Sequence, residues 1–270
     1  MHRELPGAAG VVDLVIDAHA HLGPTGAGGA LHDSDAHSLV RIMDRCGVHL
    51  TMLSSHESIS VDSTVGNKRT ADAVGQFPQR LLGYLTVNPW QDPEGEIERW
   101  VGDSRFAGIK LHPAMHDYML DGPRYQPVWD FAAGSGCPVL THTWHPQEED
   151  DMDILRRTAS AHPEVTLLAG HSGGQPQGFE KAIEVARDCP NVLLEVCSSY
   201  MRGSVIARMV AELGASRVVF GSDVPFVDLR FSLARTLYAG MSADELLAVM
   251  GGNISTLLDS LGPAFGIGRS

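Results

Sequence analysis

A chain of 270 residues, 43 % hydrophobic and 20 % charged, can bury a large core without help from a disulfide or a structural metal. Its formal net charge of −13, from 33 acidic against 20 basic residues, disfavours nucleic acid, whose phosphates call for a basic surface. The four cysteines, Cys46, Cys137, Cys189 and Cys197, form no Cys-x-x-Cys pair, and no run of about 18 apolar residues suggests a membrane span.

In chain order, a first strand is predicted over 11–17, running straight into Asp17-Ala18-His19-Ala20-His21. A Gly-rich stretch over 23–29 reads as a mobile loop, followed by an amphipathic helix over 36–46 and a second strand over 50–54. A helical stretch through Lys68 and Phe77 leads to a third strand over 82–87, and a helix over 93–101 leads to a fourth over 108–112. Segments 125–133 and 138–142 read as helix and fifth strand, and 151–161 and 165–169 as helix and sixth strand. A helix over 179–188 precedes a seventh strand over 192–196, and one over 205–213 precedes the eighth over 217–223. Helical stretches over 229–238 and 243–258 finish the chain.

Short runs of Val, Ile and Leu fit strands buried on both faces of a parallel sheet. Eight of them, each followed by a helical pattern, predict one α/β domain over 1–270, a (β/α)8 TIM barrel with 1–10 as a loose tail. A doubly wound sheet competes, but no Gly-x-Gly-x-x-Gly turn supports it. Reduced thiols and the lack of a leader pattern predict a cytoplasmic protein acting on a small molecule, with no membrane or nucleic-acid partner. A homodimer is admitted on general grounds.

In such a barrel the functional groups stand at the carboxyl ends of the strands. His19 and His21, two apart on a strand, face the same way and can meet one ion, and imidazole suits zinc and its first-row neighbours. Later strand ends supply His56 and Glu57, Asn88, Lys110 and His112, His142, His171, Glu195 and Cys197, and finally Asp223. Glu195 can accept a hydrogen bond from a ligand histidine or sit in a buried ion pair. His2, His32, His37, His49 and His162 read as ordinary surface or core residues, while His116 and His145 are loop residues that could equally touch substrate. Trp90, Trp144 and Tyr118 could form an apolar wall or be plain core contacts, and Gly173-Gly174 reads as a turn.

Five motifs in this order carry a resemblance: Asp17-Ala18-His19-Ala20-His21, Gly108-Ile109-Lys110-Leu111-His112-Pro113, Val139-Leu140-Thr141-His142, Gly170-His171 and Gly221-Ser222-Asp223-Val224-Pro225. Together they resemble the amidohydrolase superfamily of metal-dependent hydrolases over nearly the whole chain. Within it the chain is most similar to the amidohydrolase-2 branch, which includes lactone hydrolases and non-oxidative decarboxylases such as aminocarboxymuconate-semialdehyde decarboxylase. The TatD-like deoxyribonucleases share the His-x-His start and a late Asp-x-Pro, but carry a glutamate where this chain has Lys110.

The resemblance implies that His19, His21, His142 and Asp223 hold one divalent metal, with zinc expected and one ion favoured over two. It implies that Asp223 takes a proton from metal-bound water, and that His171 polarises substrate, acts as acid/base, or ligates a second ion together with Lys110. In binuclear members the corresponding lysine is carboxylated and bridges two metals; unmodified, Lys110 would bind a substrate carboxylate. Asp223, His171 and Lys110 are thus the candidate catalytic residues, and His112, Lys110 and Trp144 the candidate substrate-binding ones.

Three or four nitrogen and oxygen ligands leave an open position for water, whose pKa a bound zinc lowers to about 7. The expected activity is therefore hydrolysis of a small amide, cyclic amide, lactone or ester. The alternative is metal-dependent, non-oxidative decarboxylation of a small aromatic or muconate-like acid, and a degenerate barrel that only binds is a third reading. Specificity is expected from loops 23–35, 55–62, 113–125, 144–151 and 224–228.

Overall fold

The computed structural model describes residues 12–23, 35–262 and 265. The expected tail over 1–10, the start of the first strand at 11, most of the Gly-rich stretch and its loop, and His2 and His32 lie outside the described residues.

Eight apolar runs form β1 (Ile16–Leu22), β2 (Leu50–Ser55), β3 (Leu81–Thr86), β4 (Phe106–Leu111), β5 (Val139–His142), β6 (Leu167–Gly170), β7 (Val192–Glu195) and β8 (Val218–Val219). They pair in parallel in the order β1 to β8. Backbone bonds then close the sheet on itself: Ala18 N–H donates to Phe220 O at 3.0 Å, Asp223 N–H to His19 O at 2.8 Å, and His21 N–H to Val224 O at 2.8 Å. The result is a (β/α)8 barrel, as the alternation of runs predicts. One apolar cluster joins strand residues such as Met52, Tyr84 and Leu140 to Ile254 and Leu258 of the last helix. The opposite faces of the strands pack on the helix layer, Ile109 and Leu167 on Val128 and Ile183 for example.

That layer comprises α1 (Ala36–Cys46), α2 (His56–Ser60), α3 (Ser63–Gln76), α4 (Pro93–Trp100), α5 (Pro113–His116), α6 (Gln126–Ser135), α7 (Met152–Ala161), α8 (Pro176–Asp188), α9 (Gly203–Leu213), α10 (Leu229–Leu237), α11 (Ala243–Leu247) and α12 (Asn253–Ser260). Aspartates start many of these helices, because a short carboxylate accepts the unpaired first-turn N–H groups. Asp35, Asp62, Asp92, Asp151 and Asp228 do so for α1, α3, α4, α7 and α10. No helix among the described residues is long and apolar enough to cross a membrane.

Three local departures from the predicted elements shape the site. Loops 55–62 and 113–125 contain the short helices α2 and α5, started by Ser55 and His112. The eighth strand is two residues long, and past it Phe220, Asp223 and Val224 bond singly to β1 while Asp223 adopts a left-handed backbone (φ 61°). In β1 the pairing runs Asp17 to Thr51 and then Ala20 to Leu53, so β1 carries one extra residue. This bulge resets the phase of the strand. Ile16 and Ala18 join the cluster of strand residues, whereas Val15, Ala20 and Leu22 pack outward against α1. His19 and His21 are thereby left facing the inside of the barrel.

Candidate metal centre

His19 Nε2 and His21 Nε2 lie 3.1 Å apart. Asp223 Oδ1 is 3.4 Å from His21 Nε2 and 3.9 Å from His19 Nε2. Donors bound to one ion at zinc-like distances sit about 3.4 Å from each other, so this trio fits a single divalent cation. Two imidazole nitrogens facing at 3.1 Å also call for a cation between them or a proton on one of them. Lys110, fully buried on β4, reaches the same spot, its Nζ 3.0 Å from His19 Nε2.

A buried frame aims these groups. His19 Nδ1 donates to Glu195 Oε2 at 2.9 Å, which leaves Nε2 as the free nitrogen. His21 Nδ1 meets Ser54 Oγ at 3.2 Å. Asp17, without a role in the sequence reading, is fully buried and accepts from His19 N at 3.1 Å, Ser222 N at 2.8 Å and the Ser222 hydroxyl. It ties the His-x-His segment to the residue before Asp223. Glycine is required at 221, because a Cβ there would stand 2.1 Å from Glu195 Oε1.

His142 belongs to a neighbouring group. Its Nδ1 is 2.5 Å from Asp150 Oδ2, its ring stacks on His112 with centroids 4.1 Å apart, and it lies 4.6 Å from the His171 ring. His142, His112 and Asp150 form a second set of close donor atoms beside the His19, His21 and Asp223 set. Trp144 lies nearly parallel to His142 with centroids 6.0 Å apart, and its indole fills the space where a side chain on Gly174 would sit. His171 has a left-handed backbone (φ 66°); its N–H donates to Glu195 Oε2 at 3.1 Å and its Nδ1 lies 3.0 Å from Cys197 Sγ.

Burial depresses the histidines. His19 and His171 are held well below the ordinary imidazole range, first by desolvation and then by the charges of Lys110 and His142 respectively. Burial also brings His142 down to about 3 and lowers His21. The imidazoles are therefore neutral near pH 7, the form that ligates a metal. Lys110 falls to about 8, again through burial, while burial raises Glu195 and Asp150 to about 8 and Asp17 to about 7. Burial pushes Asp223 upward too, but the His21 hydrogen bond and the charges of His171 and Lys110 outweigh it and keep this carboxylate ionised.

Other predicted positions divide. His56 borders the centre, its ring 6.1 Å from His21. Glu57 turns away to pair with Arg69 at 2.8 Å, and Asn88 accepts from Trp90 N at 2.9 Å. His116 is held by Tyr125 Oη at 2.8 Å and His145 by Asp151 at 2.7 Å. His49 accepts from Val15 N at 3.1 Å, His162 stacks on Trp129 and His37 packs on Phe77. The anticipated aromatic wall splits, with Trp90 and Tyr118 packed together 5.3 Å apart and Trp144 alone beside His142. Asp150 escaped the sequence reading, since it sits in the acidic run Glu148-Glu149-Asp150-Asp151 with no local mark of its burial.

A model described as "Amidohydrolase" matches residues 16–259. A gamma-resorcylate decarboxylase from Polaromonas sp. (strain JS666) is 23 % identical, with 70 % of this chain and 77 % of that protein covered. Relatives of the same name come from Rhodococcus jostii and Rhizobium radiobacter. Among solved structures, a 2,6-dihydroxybenzoate decarboxylase from Rhizobium superposes with a TM-score of 0.73 at 15 % identity, covering 92 % of this chain and 99 % of its own. A 5-carboxyvanillate decarboxylase from Novosphingobium aromaticivorans, complexed with manganese and 4-hydroxy-3-methoxy-5-nitrobenzoic acid, gives 0.74 at 16 % identity over 93 % and 97 %. These names correct the expected hydrolase activity: the relatives break a carbon–carbon bond, which favours the decarboxylase alternative. The ligand set did not reveal this, because metal-dependent hydrolysis and decarboxylation use the same donors.

Proposed function

The chain belongs to the amidohydrolase family, in its amidohydrolase-2 branch, and on that premise we propose that it is a divalent-metal-dependent, non-oxidative decarboxylase of a small hydroxy-substituted aromatic acid. The observation that carries the reading is the shared name of the curated relatives, each a gamma-resorcylate decarboxylase. The donor geometry around His19, His21 and Asp223 agrees with it.

His19, His21 and Asp223, joined by His142, are the residues that would hold the metal. Zinc, expected from the histidines, and manganese, named with the Novosphingobium structure, both suit nitrogen and carboxylate donors. When bound, the ion supplies a Lewis-acidic anchor for substrate oxygen. Lys110 offers a buried ammonium to an anionic oxygen, since a desolvated cation needs such a partner. Trp144 and His112 flank the His142 ring and present flat surfaces to an aromatic substrate. Decarboxylation breaks the ring–carboxyl bond, releases carbon dioxide and puts one proton on the vacated ring carbon. Asp223 or His171, neither of which holds an acidic proton at rest near pH 7, would relay that proton from water.

The test is to load the purified protein separately with manganese and with zinc, and to offer it 2,6-dihydroxybenzoate and 5-carboxyvanillate. Carbon dioxide and the decarboxylated phenol should appear in equal amounts, and His19→Ala should abolish both. An absence of carbon dioxide release with either metal would overturn the reading.

A further inference from the structure

Behind the candidate metal trio lies a second, fully buried constellation made by Glu195, Cys197 and the Nδ1 edges of His19 and His171. Glu195 Oε2 is its hub. It accepts from His19 Nδ1 at 2.9 Å, from the backbone N–H of His171 at 3.1 Å, and from the Cys197 thiol at 2.8 Å. The His171 backbone N–H can only donate, so Oε2 is an acceptor whose partners each bring a hydrogen, and any proton on the carboxyl sits on Oε1, which has no hydrogen-bond partner among the described residues.

A thiol has one hydrogen, and that of Cys197 is directed to Glu195. Its sulfur is then available only as an acceptor. His171 Nδ1, 3.0 Å from Cys197 Sγ, must therefore carry the proton of its ring. A neutral imidazole with hydrogen on Nδ1 has none on Nε2. The same carboxyl group bonds the backbone N–H of His171, whose left-handed conformation a non-glycine residue adopts only where its surroundings impose it.

We propose that Cys197 is a positioning residue for His171: its sulfur accepts the Nδ1 hydrogen, so that His171 keeps an unprotonated Nε2 on the opposite edge of its ring. An imidazole in this tautomer accepts hydrogen bonds there and donates none. The substrate group it meets is accordingly a donor, which in a hydroxy-substituted aromatic acid is the ring hydroxyl. An imidazole bare at Nε2 has no proton there to give, so the proton that reaches the ring carbon is not one that His171 holds at rest. The hydroxyl assignment rests on the decarboxylase reading, whereas the tautomer rests on the hydrogen bonds alone.

Nitrogen-resolved NMR of metal-free protein labelled in histidine tests the tautomer directly, with the His171 signals identified by their loss in His171→Gln. In the unmodified protein His171 should show hydrogen on Nδ1 and a bare Nε2. Cys197→Ala, or Cys197→Val if the smaller side chain impairs folding, should mix the two tautomers, and Cys197→Ser should restore the single one. Hydrogen on Nε2 in the unmodified protein, or a tautomer unmoved in both apolar variants, would overturn the proposal. In the manganese-loaded enzyme, Cys197→Ala should lower kcat about 10-fold or more with the manganese Kd within about 2-fold, and Cys197→Ser should recover most of the rate. A protein that decarboxylates no substrate, yet gives the expected spectra, would refute the functional reading and leave the tautomer intact.

Discussion

Asp150 Oδ2 stands 2.5 Å from His142 Nδ1, so a carboxylate from the loop after β5 decides which nitrogen of that imidazole is left for other partners. Asp150 is fully buried and its other oxygen has no partner, which makes the contact to His142 its principal one. Outer partners of metal-bound histidines typically tune affinity by 10–100-fold. Asp150→Ala should weaken manganese binding by about that factor in titration calorimetry, and Asp150→Asn, which keeps an acceptor, by less. Unchanged affinity in both would show that His142 stands outside the centre.

Gly221, just past β8, faces Glu195 on the neighbouring β7 so closely that one methyl group has no room. A Cβ at this position would lie 2.1 Å from Glu195 Oε1 and 3.0 Å from His19 Cβ. Gly221→Ala should therefore displace the carboxylate that aims His19. Overpacking of this kind costs about 1–3 kcal/mol, which denaturant melts of the metal-free protein will register. Metal affinity should fall as well. A variant that loses stability but keeps its affinity would show that His19 does not need Glu195.

Lys110 is predicted to trade stability for activity. Its ammonium is fully buried at 3.0 Å from His19 Nε2, and burial brings it down to about 8. Lys110→Met keeps most of the volume and removes a desolvated charge, so the metal-free protein should melt at the same or a higher temperature. Decarboxylation should nonetheless fall by about 100-fold or more, because the anionic oxygen of the substrate loses its countercharge. A melt that drops while the rate stays would assign Lys110 a purely structural task.

The barrel was legible because strands buried on both faces must be apolar along their length, and the eight runs from β1 to β8 are. His19, His21, Lys110, His142, His171 and Asp223 were legible as a set because the topology gathers the strand ends. Their fine geometry was not. The extra residue in β1 carries no glycine to mark it, and the left-handed turns at His171 and Asp223 are likewise made without glycine, by residue types that adopt many other conformations. Cys197 looks like any buried thiol until its neighbours at 2.8, 3.0 and 3.3 Å are known. The reaction class lay furthest from view, since it depends on what the pocket holds against the metal rather than on the metal's ligands.

His116 should make the protein acid-sensitive through a buried ring on α5. Its ring is 4 % exposed, with Nδ1 2.8 Å from Tyr125 Oη and Nε2 3.2 Å from Ile59 O. Burial lowers it from 6.5 to about 4, with a smaller push from Lys110. Above pH 6.5 the ring is neutral folded and unfolded, and it contributes no pH dependence. Between pH 6.5 and about 4 the unfolded chain takes up a proton that the folded chain refuses, so stability is lost as the pH falls. One such proton is worth about 1.4 kcal/mol per pH unit. His116→Asn should be less stable than the unmodified protein at pH 7, having lost the ring's contacts. On going to pH 5, however, the unmodified protein should lose about 2 kcal/mol more than the variant in urea melts. Equal losses in the two would mean that His116 takes up its proton in the folded state.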